Sequence, residues 1–407
     1  MDSIADSKFG LGLGRQEKTL SFQDLIAPLG LDQFMATYYE KKELRIQRND
    51  PQFFSTLLTL DDIDHHLTHV GHNYPSVNVA NALDSVPKEA FTFSDGRIDK
   101  TRLYELYSQG CTIVMRHMHR TVPALARLCR SAEQVFSCEF QTNVYFTPPG
   151  AQGFKIHYDT HDIFALQVLG KKRWRIYGTP RELPLARQDF NPTKDSPGDL
   201  SAEFDHNAGD VYYFPRGLVH DAVTSAEPSI HITLGMLSQT WTELMLESLL
   251  AVCHENVEFR HNLPIGALAE APDLAAMETT FRQLVSRFAD KARFEDILER
   301  FRDAFITSRQ PLNWGRSRDH LLLPELNADT VVGPRPELVC HLRETADQIV
   351  LHVHTAEIAF PAAVAAALTY SLGTPSFTVR DMPGLADDAS RLVLARRLVR
   401  EGILTIA

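Results

Sequence analysis

The spacing of apolar positions changes several times along this chain, and each change marks a different kind of element. Near the start, Phe22, Leu25, Ile26 and Leu29 recur at three- and four-residue steps, which predicts a helix. Phe34, Tyr38 and Tyr39 then lead into the strand-like Leu44-Arg45-Ile46. A further helix is predicted after Thr59, where Asp61 and Asp62 suit a helix N-terminus. Residues 75–120 read as short strands and turns, and helical spacing returns from Val122 to Phe136. Between Gln141 and Leu237 the character is β, with strands predicted over 143–147, 164–169, 172–177, 211–214 and 230–237. Pro148-Pro149-Gly150 reads as a turn, and the polar, proline-bearing stretch from Gly178 to Asn207 as a loop long enough to shape a substrate entrance. Many short strands around inward-facing polar residues predict a barrel or jelly roll.

After Thr240 the spacing is helical again over Leu244–Val252, Leu274–Phe288 and Phe294–Phe305. A last region begins near Pro311 and ends in two predicted helices, Pro361–Leu372 and Asp388–Glu401, and the strand-like 403–406. The pattern therefore predicts an α+β chain in four parts: a flexible tail over 1–20, a β-rich domain over 21–240, a helical region over 241–310 and a mixed domain over 311–407. A length of 407 residues agrees with more than one domain.

Composition narrows the function classes. A formal charge of −11, from 41 basic and 52 acidic residues, argues against a general nucleic-acid-binding surface. Cys111, Cys129, Cys138, Cys253 and Cys340 are scattered, without a C-x-x-C pair, so neither a disulfide framework nor a structural zinc site is expected. No basic start with an apolar stretch and no run of eighteen apolar residues is present, so the expected compartment is a reducing cytoplasm, away from membranes.

The chemistry concentrates at His157-Tyr158-Asp159 and at His220. Residues two apart on a strand point the same way, so His157 and Asp159 can offer an imidazole and a carboxylate to one metal, and His220 completes a set of three. Two histidines and one carboxylate on one face of an octahedron leave positions open, the donor set of non-haem Fe(II) oxygenases. Gly209, Pro215, Gly217 and His220 fit the second cupin motif, G-x5-P-x-G-x2-H-x3-N, with Thr224 in the final asparagine place. The first cupin motif would supply a second histidine and a glutamate. Here Asp159 stands for that histidine, and Ile163 and Phe164 occupy the glutamate positions, which leaves three ligands and room for a chelating co-substrate. If that co-substrate is 2-oxoglutarate, its distal carboxylate needs a cation inside the barrel. Lys172 supplies one, sharing a face with Trp174 and Ile176, while Arg173 and Arg175 fall on the opposite, solvated face.

With these residues assembled, the chain resembles the JmjC oxygenases of the cupin superfamily, and within them the ribosomal oxygenase subgroup that hydroxylates side chains of ribosomal proteins. The resemblance rests on 143–154 (NVYFTPPGAQGF), on His157-Tyr158-Asp159, on 166–174 (LQVLGKKRW) and on Tyr39-Glu40-Lys41-Lys42-Glu43-Leu44, and it extends over the whole chain. It implies a double-stranded β-helix (jelly-roll, cupin) JmjC catalytic barrel over 21–240, a helical dimerisation region over 241–310 and a winged-helix-like domain over 311–407. It implies Fe(II) held by His157, Asp159 and His220, 2-oxoglutarate held by Lys172 with Tyr145 and Asn143, and O₂ as oxidant. The implied partners are a protein or peptide substrate, ribosomal in the first instance, and a second copy of the chain.

Other readings stay open at this level. The same centre could serve a small molecule or a biosynthetic peptide, could demethylate N-methyl-lysine, or could be a decayed barrel in a non-catalytic dimeric scaffold. His231 alternates into the barrel, either as a core histidine or as a co-substrate neighbour, while His161 and Asp162 are expected to support the ligands rather than to bind metal. His65, His66, His69 and His72 read as solvated helix ends, and Arg391, Arg396, Arg397 and Arg400 as a solvated face rather than a recognition helix.

Overall fold

The computed structural model describes residues 20–269, 272–345, 347–354 and 356–407, so the tail expected over 1–20 lies, Leu20 excepted, outside the described residues. The chain divides into two compact units, with the break between Ser238 and Gln239.

The first unit opens with α1 (Phe22–Ile26), α2 (Leu31–Thr37), β1 (Leu44–Ile46), α3 (Leu60–His69) and β2 (Val77–Ala80). Next come α4 (Lys100–Ser108), β3 (Thr112–Arg116), α5 (Pro123–Phe136) and β4 (Glu139–Thr147). The remaining strands are β5 (Asp162–Leu169), β6 (Lys171–Ile176), β7 (Ala202–Asn207), β8 (Val211–Phe214), β9 (His220–Thr224) and β10 (Ser229–Leu237). They form a seven-stranded sheet in the order β1-β8-β5-β10-β4-β3-β2 and a three-stranded sheet, β7-β6-β9, with antiparallel pairing throughout. This is the cupin arrangement within an α+β chain.

Alternation along β5 shows how the sequence builds two cores. Ile163 and Ala165 pack with Trp174, Ile176, Phe204, Tyr212 and Phe214 in the barrel interior. Phe164 and Leu166 point the other way, into a larger core shared with the helices. A strand buried on both faces reads as a continuous apolar run, which is why 163–166 carries no polar residue. Phe22 of α1 meets Phe164 edge-on at 5.2 Å, and Phe34 of α2 meets Tyr213 at 4.9 Å, so the early amphipathic helices roof the outer face of the sheet. The entry to α3 is a capping box: Thr59 Oγ accepts the Asp62 N–H at 3.1 Å, and the Asp62 carboxylate accepts the Thr59 N–H at 2.8 Å.

Three expectations change here. The segment 75–120 contains a helix, α4, capped by Asp99, whose carboxylate accepts the Thr101 and Arg102 N–H groups at 3.0 and 3.2 Å. The stretch from Gly178 to Asn207 is not loop throughout, because its end forms β7 against β6, fastened by Arg173 to Asp205 at 2.7 Å. His66 is not solvated: it lies on the face of α3 that buries Ile63 and Leu67, bonds Thr121 Oγ at 2.7 Å, and burial pushes its pKa down to about 4.

The second unit begins with α6 (Trp241–Glu255), α7 (Leu274–Lys291), α8 (Phe294–Ser308) and α9 (Arg316–Leu322). It continues with β11 (Val331–Pro334), β12 (Cys340–Glu344), β13 (Gln348–Val353), β14 (Ala356–Pro361), α10 (Ala365–Gly373), β15 (Phe377–Thr378), α11 (Asp388–Glu401) and β16 (Leu404–Ile406). Two three-stranded sheets result, β15-β11-β16 and β12-β13-β14. The helix expected from Pro361 starts at Ala365 instead, since Pro361 closes β14 opposite Gln348. On α11 Arg396 and Arg400 are exposed as expected, while Arg391 and Arg397 are half-buried. Arg391 donates to the Met382 and Leu385 carbonyls, Arg396 to the Leu326 carbonyl, and Arg397 lies 4.3 Å over the Phe360 ring.

Candidate metal centre

Backbone pairing brings the three residues together before any side chain acts. His157 and His220 form an antiparallel bridge, with the His157 N–H donating to the His220 carbonyl at 3.1 Å and the His220 N–H returning to the His157 carbonyl at 2.8 Å. The Gly217 N–H holds the Asp159 carbonyl at 3.0 Å. Gly217 has φ +91°, and a Cβ there would lie 2.1 Å from the Arg181 carbonyl oxygen, so the turn that aims β9 admits only glycine. Thr224, in the place of the motif's asparagine, pins the Pro148–Ala151 turn: its hydroxyl donates to the Pro148 carbonyl at 2.7 Å and accepts the Ala151 N–H at 2.8 Å.

One ligand atom from each of His157, Asp159 and His220 lies within 4.8 Å of the other two, and His220 Nε2 stands 3.6 Å from Asp159 Oδ2. The Nδ1 atoms of both histidines point away, to the Lys155 carbonyl at 2.7 Å and the Leu218 carbonyl at 3.0 Å. Those contacts place the ring protons on Nδ1 and leave both Nε2 lone pairs for a metal. Burial, and then the neighbouring His157, push His220 down to about 4, so it is neutral at physiological pH. Burial alone would raise Asp159, but His157, His220 and His161 outweigh it and hold the carboxyl below its usual range. Neutral imidazole and ionised carboxylate are the protonation states that ligation requires. Two nitrogens and one oxygen, with no fourth protein donor among the described residues, match an Fe(II) site with open positions.

Lys172 lies inside the barrel at 4% exposure, on the same face of β6 as Trp174 and Ile176, with no carboxylate paired to it among the described residues. Burial lowers its pKa to about 7. Arg173 and Arg175 occupy the opposite face, but they bind Asp205 and Asp221 at 2.7 and 2.6 Å rather than standing free in solvent. Tyr145 and Asn143 face inward on β4, opposite His231 and Thr233 of β10. The Tyr145 ring stacks on His231 at 4.5 Å, and the Tyr145 hydroxyl interacts with Thr233 and Asn143. His231 is a lining residue rather than a remote core histidine: burial drives its pKa well down, Lys172 adds to the shift, and its Nδ1 makes no hydrogen bond among the described residues.

Asp162 binds Tyr213 and Arg216, and the His161 ring lies against Gly235, where a Cβ would come within 2.8 Å of it. Tyr158, between His157 and Asp159, is buried under the 178–201 segment: its hydroxyl donates to the Gln188 carbonyl at 2.9 Å and its ring meets Phe190 at 5.3 Å. The residue between His157 and Asp159 thus anchors the 178–201 segment. Nothing local in the sequence marked Tyr158 or Arg216 for these roles, because both partners lie tens of residues away.

A cupin barrel carrying a two-histidine, one-aspartate cluster beside a buried lysine defines the class of open-sited metal barrels. Within that class, residues 115–244 match the JmjC domain model, and the chain carries a JmjC domain over this span. Curated proteins similar to it are called bifunctional lysine-specific demethylase and histidyl-hydroxylase NO66. The one from Drosophila persimilis is 35% identical over 249 residues, covering 59% of this chain and 36% of that protein. The one from Dictyostelium discoideum is 31% identical over 275 residues, covering 65% and 53%. The chain thus spans between a third and about half the length of these relatives. Among solved structures, Escherichia coli ycfD aligns over 93% of this chain and 98% of its own, with TM-score 0.56 and 15% identity. A second structure, described as the ribosomal oxygenase YcfD in complex with cobalt and 2-oxoglutarate, aligns over the same shares with TM-score 0.53 and 14% identity. At that identity the likeness is one of fold.

Proposed function

We propose that this chain is an Fe(II)- and 2-oxoglutarate-dependent oxygenase that hydroxylates a protein side chain, with a ribosomal protein as the first substrate to test. The observation that carries the reading is the pairing of a convergent two-histidine, one-aspartate cluster with a buried Lys172 that has no carboxylate partner among the described residues, in one barrel. The relatives' names and the cobalt and 2-oxoglutarate complex of a structural neighbour support it.

His157, Asp159 and His220 hold the iron, and Lys172 binds the distal carboxylate of 2-oxoglutarate with Tyr145 and Asn143 beside it. The bound iron, with O₂ and 2-oxoglutarate, supplies the oxidising chemistry that puts one oxygen atom into a substrate C–H bond, with CO₂ and succinate as co-products. The chain's own part is to fix ligand orientation through the two Nδ1 contacts, to lend a buried cation, and to wall the entrance with the Tyr158-anchored segment. Intact-mass spectra of ribosomal proteins from cells with and without the gene should differ by one +16 species. Identical spectra would move the substrate to a small molecule or a biosynthetic peptide, and a lost methyl group with formaldehyde release would make the enzyme a demethylase.

In the same reading 241–310 is a dimerisation region and 311–407 a winged-helix-like domain serving structure rather than nucleic-acid binding, and the protein works in the cytoplasm. Trp241, Leu246, Leu250 and Phe281, on α6 and α7, are 72, 56, 54 and 67% exposed, an apolar surface suited to a second copy. Cys111, Cys253 and Cys340 are free, and no helix among the described residues is long and apolar enough to cross a membrane. Light scattering is expected to give twice the chain mass, and Leu250→Glu to shift the protein to monomer. A wild-type monomer at working concentration rules the dimer out.

A further inference from the structure

The segment Tyr39–Leu44 has no place in the chemistry so far, yet the fold ties it to the chain segments that flank Asp159 and His220. Glu40 takes a left-handed backbone conformation, φ +54°. Its N–H donates to Tyr213 Oη at 2.9 Å, and its carboxylate accepts from Arg216 Nη1 at 2.6 Å. The Tyr213 hydroxyl in turn donates to Asp162 Oδ2 at 2.8 Å. The other Asp162 oxygen accepts from Arg216 twice, from Nη1 at 3.0 Å and from the backbone N–H at 3.2 Å. Next to Glu40, Glu43 accepts the Tyr212 hydroxyl. Asp162, Tyr213 and Arg216 are buried at 1, 0 and 8% exposure.

These partners sit on the two segments that deliver the ligands. Asp162 opens β5 three residues after Asp159. Arg216 immediately precedes Gly217, whose N–H grips the Asp159 carbonyl at 3.0 Å, and stands four residues before His220. Buried ion pairs stabilise a fold little compared with apolar packing, because desolvation consumes most of the Coulombic gain. What such a cluster does supply is fixed geometry between the chain segments it joins. We infer that Glu40, Asp162, Tyr213 and Arg216 are positioning residues for the metal centre, through which the Tyr39–Leu44 segment sets the placement of Asp159 relative to His220. This rests on the reading of His157, Asp159 and His220 as metal ligands.

Co(II) titration of the full chain, followed by visible absorption, tests it alongside thermal melts of the metal-free proteins. Wild type should bind Co(II) and His157→Ala should not. Glu40→Gln should bind about tenfold more weakly, with a changed band shape, while its metal-free melt stays close to wild type and Glu40→Asp recovers the wild-type band. Unchanged affinity and band in Glu40→Gln overturn the inference and leave the metal site standing. Co(II) binding that survives His157→Ala removes the metal reading itself, and this inference with it. If Glu40→Gln does not fold, Tyr213→Phe, which removes the hydroxyl between the Glu40 N–H and Asp162, carries the same expectation and the same refutation.

Discussion

Asp159→Ala is expected to lose Fe(II) binding and, with it, succinate formation from 2-oxoglutarate. A site of three protein donors has none to spare. If a four-ligand metal site gains roughly 10–16 kcal/mol, each ligand contributes about 3–4 kcal/mol, so removing one costs two to three decades in affinity. His157→Ala is expected to behave alike, and for a further reason: its Nδ1 contact to the Lys155 carbonyl also fixes the direction of the ring. Neither loss should come from unfolding. The Asp159 side chain keeps 27% exposure and makes no hydrogen bond to the core among the described residues, so its removal should move the metal-free melt by only about 1–2 °C. The measurement is succinate release with Fe(II), O₂ and 2-oxoglutarate, beside circular-dichroism melts. Undiminished succinate from a folded Asp159→Ala protein would falsify the assignment of the metal site.

That triad was legible in the sequence because its logic is local. H-x-D puts two donors on one strand face, and the glycines and proline before His220 mark a turn that aims the third. The strands of the barrel were legible for the same reason, being short apolar or alternating runs between turn residues. Other parts were hidden where stability comes from distant partners. Strand β7 reads Ala-Glu-Phe-Asp-His-Asn, poor in strand formers, and exists by pairing with β6 some thirty residues earlier. Helix α4 buries only Leu103 completely, so its apolar stripe is too thin to stand out. His66 shows the reverse error, because four nearby histidines suggest solvent whereas the helix phase sets one of them beside Ile63 and Leu67. The Glu40–Arg216 pair, 176 residues apart, leaves no trace in any window of sequence.

Lys172→Met should have two effects of opposite sign. Methionine nearly matches the length of the buried stem and removes a charge that has no carboxylate partner among the described residues. The folded-state pKa of about 7 lies below the ordinary lysine value of 10.5, so the unfolded chain holds this proton more tightly. Folding is therefore penalised fully below pH 7, less as pH rises towards 10.5, and not at all above it. The metal-free variant should accordingly melt higher than wild type at pH 6–7, by an amount on the order of a few kcal/mol in stability, and the difference should shrink as the pH is raised. Binding of 2-oxoglutarate should move the other way. Leaving its distal carboxylate without a cation in a buried site costs about 3–5 kcal/mol, or two to three and a half decades in affinity. In wild type the bound anion restores the lysine's proton, so above pH 7 binding takes up a proton and the affinity falls by up to about tenfold per pH unit. The variant should show no such slope. Anaerobic titration of the Fe(II) protein with 2-oxoglutarate at pH 6.5, 7.5 and 8.5, read by its visible charge-transfer band, separates the cases. Equal affinities at pH 6.5 would remove Lys172 from the co-substrate site, whatever the melting temperatures show.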